Sequence, residues 1–138
     1  MTPRTDTERG SGLIAAIIVL TAVLVVAAAG TMIDGGRFLA TRRHVSTIAY
    51  ETARAGAQAV ATDSFHDPNA VLDPAAADTA ARNAFGALAA GTGASIVTVT
   101  VTATDVRVTV NEAVSPWFPL LSPSTVSATG RARIASAP

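Results

Sequence analysis

From Gly10 to Ile33 the chain reads GSGLIAAIIVLTAVLVVAAAGTMI, with no charged residue between Arg9 and Asp34. Wound as a helix at about 1.5 Å per residue, this run extends about 36 Å, more than the roughly 30 Å hydrocarbon core of a bilayer. It divides the chain into three: a polar tail over residues 1–9, a membrane-spanning helix over 10–33, and a domain over 34–138 on one side of the membrane. A cleaved secretory signal is the rival reading. Its apolar core is normally about 7–15 residues long and ends in a small-x-small site. Ala27-Ala28-Ala29 offers such a site, but the run is longer, and a retained anchor is the expectation.

Two Arg residues, Arg4 and Arg9, precede the run, and Arg37, Arg42 and Arg43 follow it. A difference of one does not decide orientation by the positive-inside rule. Within the run, Gly12, Ala16, Ala22, Ala27 and Gly30 are small enough for another helix to approach closely. Gly12 and Ala16 are the candidate helix-packing positions. The alternative is that Gly and Ala are simply frequent in any such span.

Beyond Ile33, Phe38, Thr41, Val45, Ile48, Thr52, Ala55 and Ala59 recur at spacings of three and four, one narrow helical face. Arg42, Arg43, Ser46, Tyr50, Arg54 and Gln58 fall on the other side. Glu51 and Arg54, one turn apart, are placed for a weak pair. The expectation is one long helix from about Leu13 to about Ala61. Its lower half lies in lipid and its upper half is a spine for the domain. Gly35-Gly36 marks the place for a kink, at roughly 1 kcal/mol per Gly relative to Ala. Thr52, if buried, needs a partner for its hydroxyl.

The segment Glu8-Arg9-Gly10-Ser11 before the span resembles the N-terminal region of Tad (tight adherence, Flp-type) pilus-assembly proteins of the TadE/TadG-like kind. So does the segment after it, IDGGRFLATRRHVSTIAYETARAGAQAV, with Asp34, Gly36, Arg37, Arg43 and Glu51. The likeness covers residues 8–60. It implies a non-enzymatic accessory protein with the tail in the cytoplasm and the domain outside the cytoplasmic membrane. Pilin-like members are cut after a Gly and carry Glu at the fifth mature position. Cleavage after Gly10 or Gly12 would place Ala15 or Ile17 there, so an uncleaved anchor is expected. The metal motif of larger TadG-like proteins, DxSxS, is not matched by Asp63-Ser64-Phe65-His66-Asp67.

Asp63 to Asp73 is turn-rich, and its three Asp, one Asn and His66 make a metal site conceivable. It lacks the spacing and the Gly pivot of a calcium loop, and Asp near Pro or a helix start is ordinary turn chemistry. Asp73-Pro74 starts a helix, with an N-cap side chain and Pro at the first position, running over Ala75–Ala90. Gly91 is placed to supply a left-handed cap. Next, residues 95–103 alternate, with Val97, Val99 and Val101 on one face and Thr98, Thr100 and Thr102 on the other. Val106, Val108 and Val110 repeat the pattern opposite Arg107 and Thr109, so the two segments pair as an antiparallel hairpin. A third strand over residues 125–134 turns Val126, Ala128, Ala132 and Ile134 inward and Ser127, Thr129, Arg131 and Arg133 outward. The fold class expected is α+β and pilin-like: a long N-terminal helix, a second helix and a three-stranded antiparallel sheet packed on helix.

Between strands two and three, Pro116, Pro119 and Pro123 forbid regular structure around Trp117, Phe118, Leu120 and Leu121. These apolar residues either cap the open end of the core or form an exposed patch for a partner or the membrane interface. In the second case Trp117 and Phe118 are the partner-docking residues.

Ten basic residues, all Arg, balance ten acidic ones. Without a basic stripe, nucleic acid is not an expected partner. The absence of cysteine excludes disulfides and thiolate chemistry. No nucleophile elbow, phosphate loop or metal-binding His pair occurs, so no enzyme, cofactor or small-molecule substrate is expected. The expected partners are the membrane and other pilus-assembly or pilin-like subunits, reached through helix packing. A membrane-anchored binding module or small adhesin unrelated to pili is the alternative, and an envelope enzyme subunit serving a partner is a third.

Overall fold

A computed structural model describes residues 7–59, 71–117 and 122–134. Helix α1 spans Thr7–Ala57, α2 spans Pro74–Leu88, and three strands follow: β1 (Ala94–Val101), β2 (Asp105–Val114) and β3 (Ser124–Arg133). The strands form an antiparallel meander in the order β1-β2-β3. Helix α1 lies mainly on β3 and β2, and α2 packs on α1 and reaches β1. This is the expected α+β architecture.

Helix α1 passes through Gly35-Gly36 as one continuous helix, so the two glycines do not break it. It also begins earlier and ends sooner than the apolar pattern suggests, at Thr7 and Ala57 rather than Leu13 and Ala61. Its domain-facing side is wider than the expected stripe. Val45, Ile48 and Thr52 are buried as expected, but Ala49, Ala53, Gly56 and Ala57 are buried beside them. Phe38 and Ala55 are only partly covered. The width arises because α1 contacts two elements at once, the sheet on one flank and α2 on the other.

Small residues make that double contact possible. A Cβ built on Gly130 of β3 would fall 2.5 Å from the Tyr50 amide nitrogen and nearer still to the Ala49 carbonyl. The strand therefore lies against the helix backbone itself. On the other flank, a Cβ on Gly56 would meet the Ala77 carbonyl oxygen at 3.1 Å, Val106 Cγ1 at 3.1 Å and Ala81 Cβ at 3.2 Å. Ala77 and Ala81, one turn apart, are the buried residues of α2. Val106, Val108 and Val110 complete the core from the sheet, each fully buried.

Helix α2 starts as its residues dictate: Asp73 Oδ1 accepts from the Ala75 and Ala76 amides at 2.9 and 3.3 Å, and Pro74 follows. The helix stops at Leu88 rather than Ala90, and Ala89 is its cap in ordinary right-handed geometry. Gly91 does take the left-handed conformation, at φ +76°, but two residues beyond the cap, in the turn toward β1.

Strand β1 departs from simple alternation. Ile96 pairs with Val110 and Thr98 with Thr109, so Val97 is an extra residue, a β-bulge. The bulge turns Val97 outward, 52% exposed, while Ile96, Val99 and Val101 pack on the core. The expectation that Val97 shares a face with Val99 and Val101 is corrected accordingly. Strand β3 keeps its expected faces, with Val126 and Gly130 buried and Ser127, Thr129, Arg131 and Arg133 exposed.

Thr52 is fully buried, and its Oγ1 has no hydrogen-bond partner among the described residues. Valine has the same shape without the hydroxyl. Thr52→Val is expected to raise stability by about 1 kcal/mol, because a desolvated, unpaired hydroxyl is removed at no packing loss. Urea unfolding of both proteins in the same detergent measures it, and an unchanged or lower midpoint would mean the hydroxyl has a partner.

Candidate membrane and docking surface

From Gly12 to Val26, α1 stands clear of the domain. Every residue from Gly12 to Val26 is exposed, including Leu13, Ile17, Leu20, Leu24 and Val26. It is the one helix among the described residues long and apolar enough to cross a membrane. Its hydroxyls are suited to lipid: Thr21 Oγ1 donates to the Ile17 carbonyl and Thr31 Oγ1 to the Ala28 carbonyl, each at 2.8 Å. Polar groups that cannot find water in a bilayer must be satisfied internally, and these two are. Gly12 and Ala16 lie one turn apart in the bare segment, and a side chain added at Gly12 would meet nothing within 4 Å.

Going up the helix, Ala27 is the first residue partly covered, Gly30 the first buried, and Asp34 is 8% exposed. Asp34 Oδ1 accepts a 2.8 Å hydrogen bond from the Trp117 backbone N–H, joining the end of the apolar run to the segment after β2. Around this contact is an open cavity of about 380 Å³ lined by Thr31, Asp34, Phe38, Val114, Pro116 and Ser124, among others. The Trp117 side chain is not part of the core: it is 67% exposed. Of the two readings of the Pro-rich segment, Trp117 therefore follows the exposed one. Phe118, with Leu120 and Leu121, lies outside the described residues. Gly12 and Ala16 sit about 30 Å below Trp117 along the helix axis, so these candidates form two separate surfaces.

The sequence singled out Asp34 and Trp117 separately and did not connect them. No pattern in either segment announces a hydrogen bond across the fold. The one available sign was a carboxylate placed at the end of an apolar run, next to glycines that leave room beside it.

The outer face of the sheet carries two polar rows near its centre, with the outward-turned Val97 beside them. Thr98, Thr109 and Thr129 form one row across the three strands, with the Thr109 and Thr129 hydroxyls 3.0 Å apart. Thr100, Arg107 and Arg131 form the next. Two arginines directly opposite repel each other, and Asp105 offsets this by taking a two-pronged contact from Arg131 at 2.9 and 3.2 Å. The hydrogen bonds from Arg131 and from the Thr102 hydroxyl hold the Asp105 carboxyl below the usual carboxylate range. The other ion pair described is Asp78–Arg82 on α2; Glu51 and Arg54 do not pair.

Among the described residues no group of His, Cys, Asp and Glu is arranged to hold a metal. Residues 63–70 of the acidic loop, His66 among them, lie outside the described residues. Asp73, at its end, is occupied as the N-cap of α2, and His44 is an exposed helix residue. No protein-family model, curated protein or solved structure matches this chain.

Proposed function

We propose that the protein is a non-enzymatic, single-pass membrane protein serving as a minor pseudopilin or assembly factor of a Tad/Flp-type pilus or related secretion apparatus. Its tail faces the cytoplasm and its α+β domain lies outside. The observation that carries this reading is helix α1, bare and apolar from Gly12 to Val26 and the spine of a sheet-bearing domain over its upper half. The resemblance of residues 8–60 to TadE/TadG-like proteins supports the same assignment. Neighbouring subunits would be met in the membrane through Gly12 and Ala16, where small side chains let a second helix approach.

The test is crosslinking to pilus-machinery proteins in cells. Gly12→Leu and Ala16→Leu keep the run apolar, so the protein should still resist carbonate extraction. Protease added to intact spheroplasts should still digest the part after Asp34. Crosslinking and piliation should both fall. Normal crosslinking with normal expression would remove these residues from the contact. Protection of the domain from external protease would invert the proposed orientation.

A second reading, an anchored binding module or small adhesin, is favoured by the polar sheet face. Its Thr, Asn and Arg side chains do nothing for the core and face solvent. Unchanged piliation together with lost surface binding after Arg107→Ala would favour it.

A further inference from the structure

We infer that the domain has a second membrane contact besides α1: a foot at Trp117 that rests in the headgroup region of the lipid bilayer. The inference rests on the reading of α1 as a membrane anchor, and it concerns where the bilayer surface meets the domain.

Positions along the single helix α1 fix the height of the bilayer surface. A hydrocarbon core takes about 20 helical residues. If it begins at Gly10 it ends near Ala29; if it ends at Ile33 it begins near Ile14. The uncharged run permits nothing beyond these limits, since Arg9 and Asp34 bound it. The upper edge of the hydrocarbon therefore falls between Ala29 and Ile33. Yet cover on α1 starts lower, at Ala27, and Gly30 is already buried. Even counted from Gly10, where the uncharged run begins, the part of the run below Ala27 is only about 26 Å long, short of the roughly 30 Å core. Hydrocarbon must therefore reach the turns of α1 against which the domain is seated.

Trp117 is at that level. Its backbone N–H is fixed to Asp34, one turn above Gly30, and Val114, Pro116 and Ser124 line the same cavity as Thr31. Trp117 is left 67% exposed. At nearby heights on α1, on its other sides, Met32, Ile33 and Leu39 are also more than half exposed. A large aromatic group with an apolar body and one N–H donor suits the interface between hydrocarbon and water. The occupant of this surface is thus lipid, because the apolar collar is continuous with the lipid-facing side of the span. Asp34, the first charge, has its carboxylate turned into the protein rather than toward the bilayer.

The chain contains a single tryptophan, so its fluorescence reports this site alone. The full chain is reconstituted in phosphatidylcholine–phosphatidylglycerol vesicles containing lipids brominated either near the headgroup or at the chain end. Iodide is added as the aqueous quencher. Trp117 emission should be blue-shifted, quenched more by shallow than by deep bromines, and little affected by iodide. A control variant, Trp117→Phe with Leu20→Trp, reports on the middle of the span and should respond most to the deep bromines. If the control responds and Trp117 is quenched by iodide but not by bromine, the foot is wrong and the anchor stands. If neither responds to bromine, both readings fall. If Trp117 is shielded from lipid and iodide alike while the control responds, protein covers the ring and the lipid assignment is overturned.

Discussion

Gly130→Ala is expected to destabilise the domain by about 3 kcal/mol or more, out of proportion to the single methyl group it adds. Overpacking in a core usually costs 1–3 kcal/mol, because side chains can shift to make room. Here the added Cβ meets the backbone of α1 at Ala49 and Tyr50, which has no rotamer to change. Either the helix moves off the sheet or β3 bends away from β2, and both open the contact that buries Val108 and Ala49. Urea unfolding of the full chain in mild detergent, read by amide protection in β2 and β3, measures the effect. A midpoint within 0.5 kcal/mol of the parent would mean the strand is not seated on the helix backbone.

Val108→Asp should be similarly damaging. Val108 is fully buried in the middle of β2, so the substitution places a carboxylate where no described group is positioned to receive it. An uncompensated buried charge costs several kcal/mol. Thr100→Asp, on the solvent face beside Arg107, should cost far less. Val97→Asp is the more discriminating comparison. By strict alternation from Val99 it would be as damaging as a core substitution; with the bulge at Val97 it should be tolerated. Equal loss of amide protection in all three variants would refute the facing of β1 and the bulge together.

The sheet was largely legible in the sequence because valine alternation is a direct consequence of strand geometry. Val106, Val108 and Val110 could face only one way, and β2 holds the register of its neighbours. The bulge was not legible. Val97 and Ile96 are both β-branched and apolar, so either satisfies a buried position, and only the pairing with Val110 and Thr109 separates them. Helix α1 was legible as a helix, less so as a surface. A search for large apolar residues finds Val45 and Ile48 but passes over Ala49, Ala53 and Gly56, whose contribution is the space they do not fill. Gly130 was passed over for the same reason. The place of Trp117 was not legible either: the Pro-rich sequence left both readings open until its 67% exposure decided between them, and its tie to Asp34 depends on residues far apart in the chain.

The continuity of α1 through Gly35-Gly36 gives the helix a second consequence, one of direction. Because one helix carries both the bare segment and the sheet, the direction in which the polar sheet face points follows the direction in which Gly12 and Ala16 point. An α-helix turns by about 100° per residue. A subunit that grips one side of the span therefore chooses the bearing of the Thr and Arg rows above it, and one residue added between Asp34 and Val45 would swing that face through more than a quarter turn. In a ring or fibre of such subunits, the azimuth of each outer face would be dictated from inside the membrane.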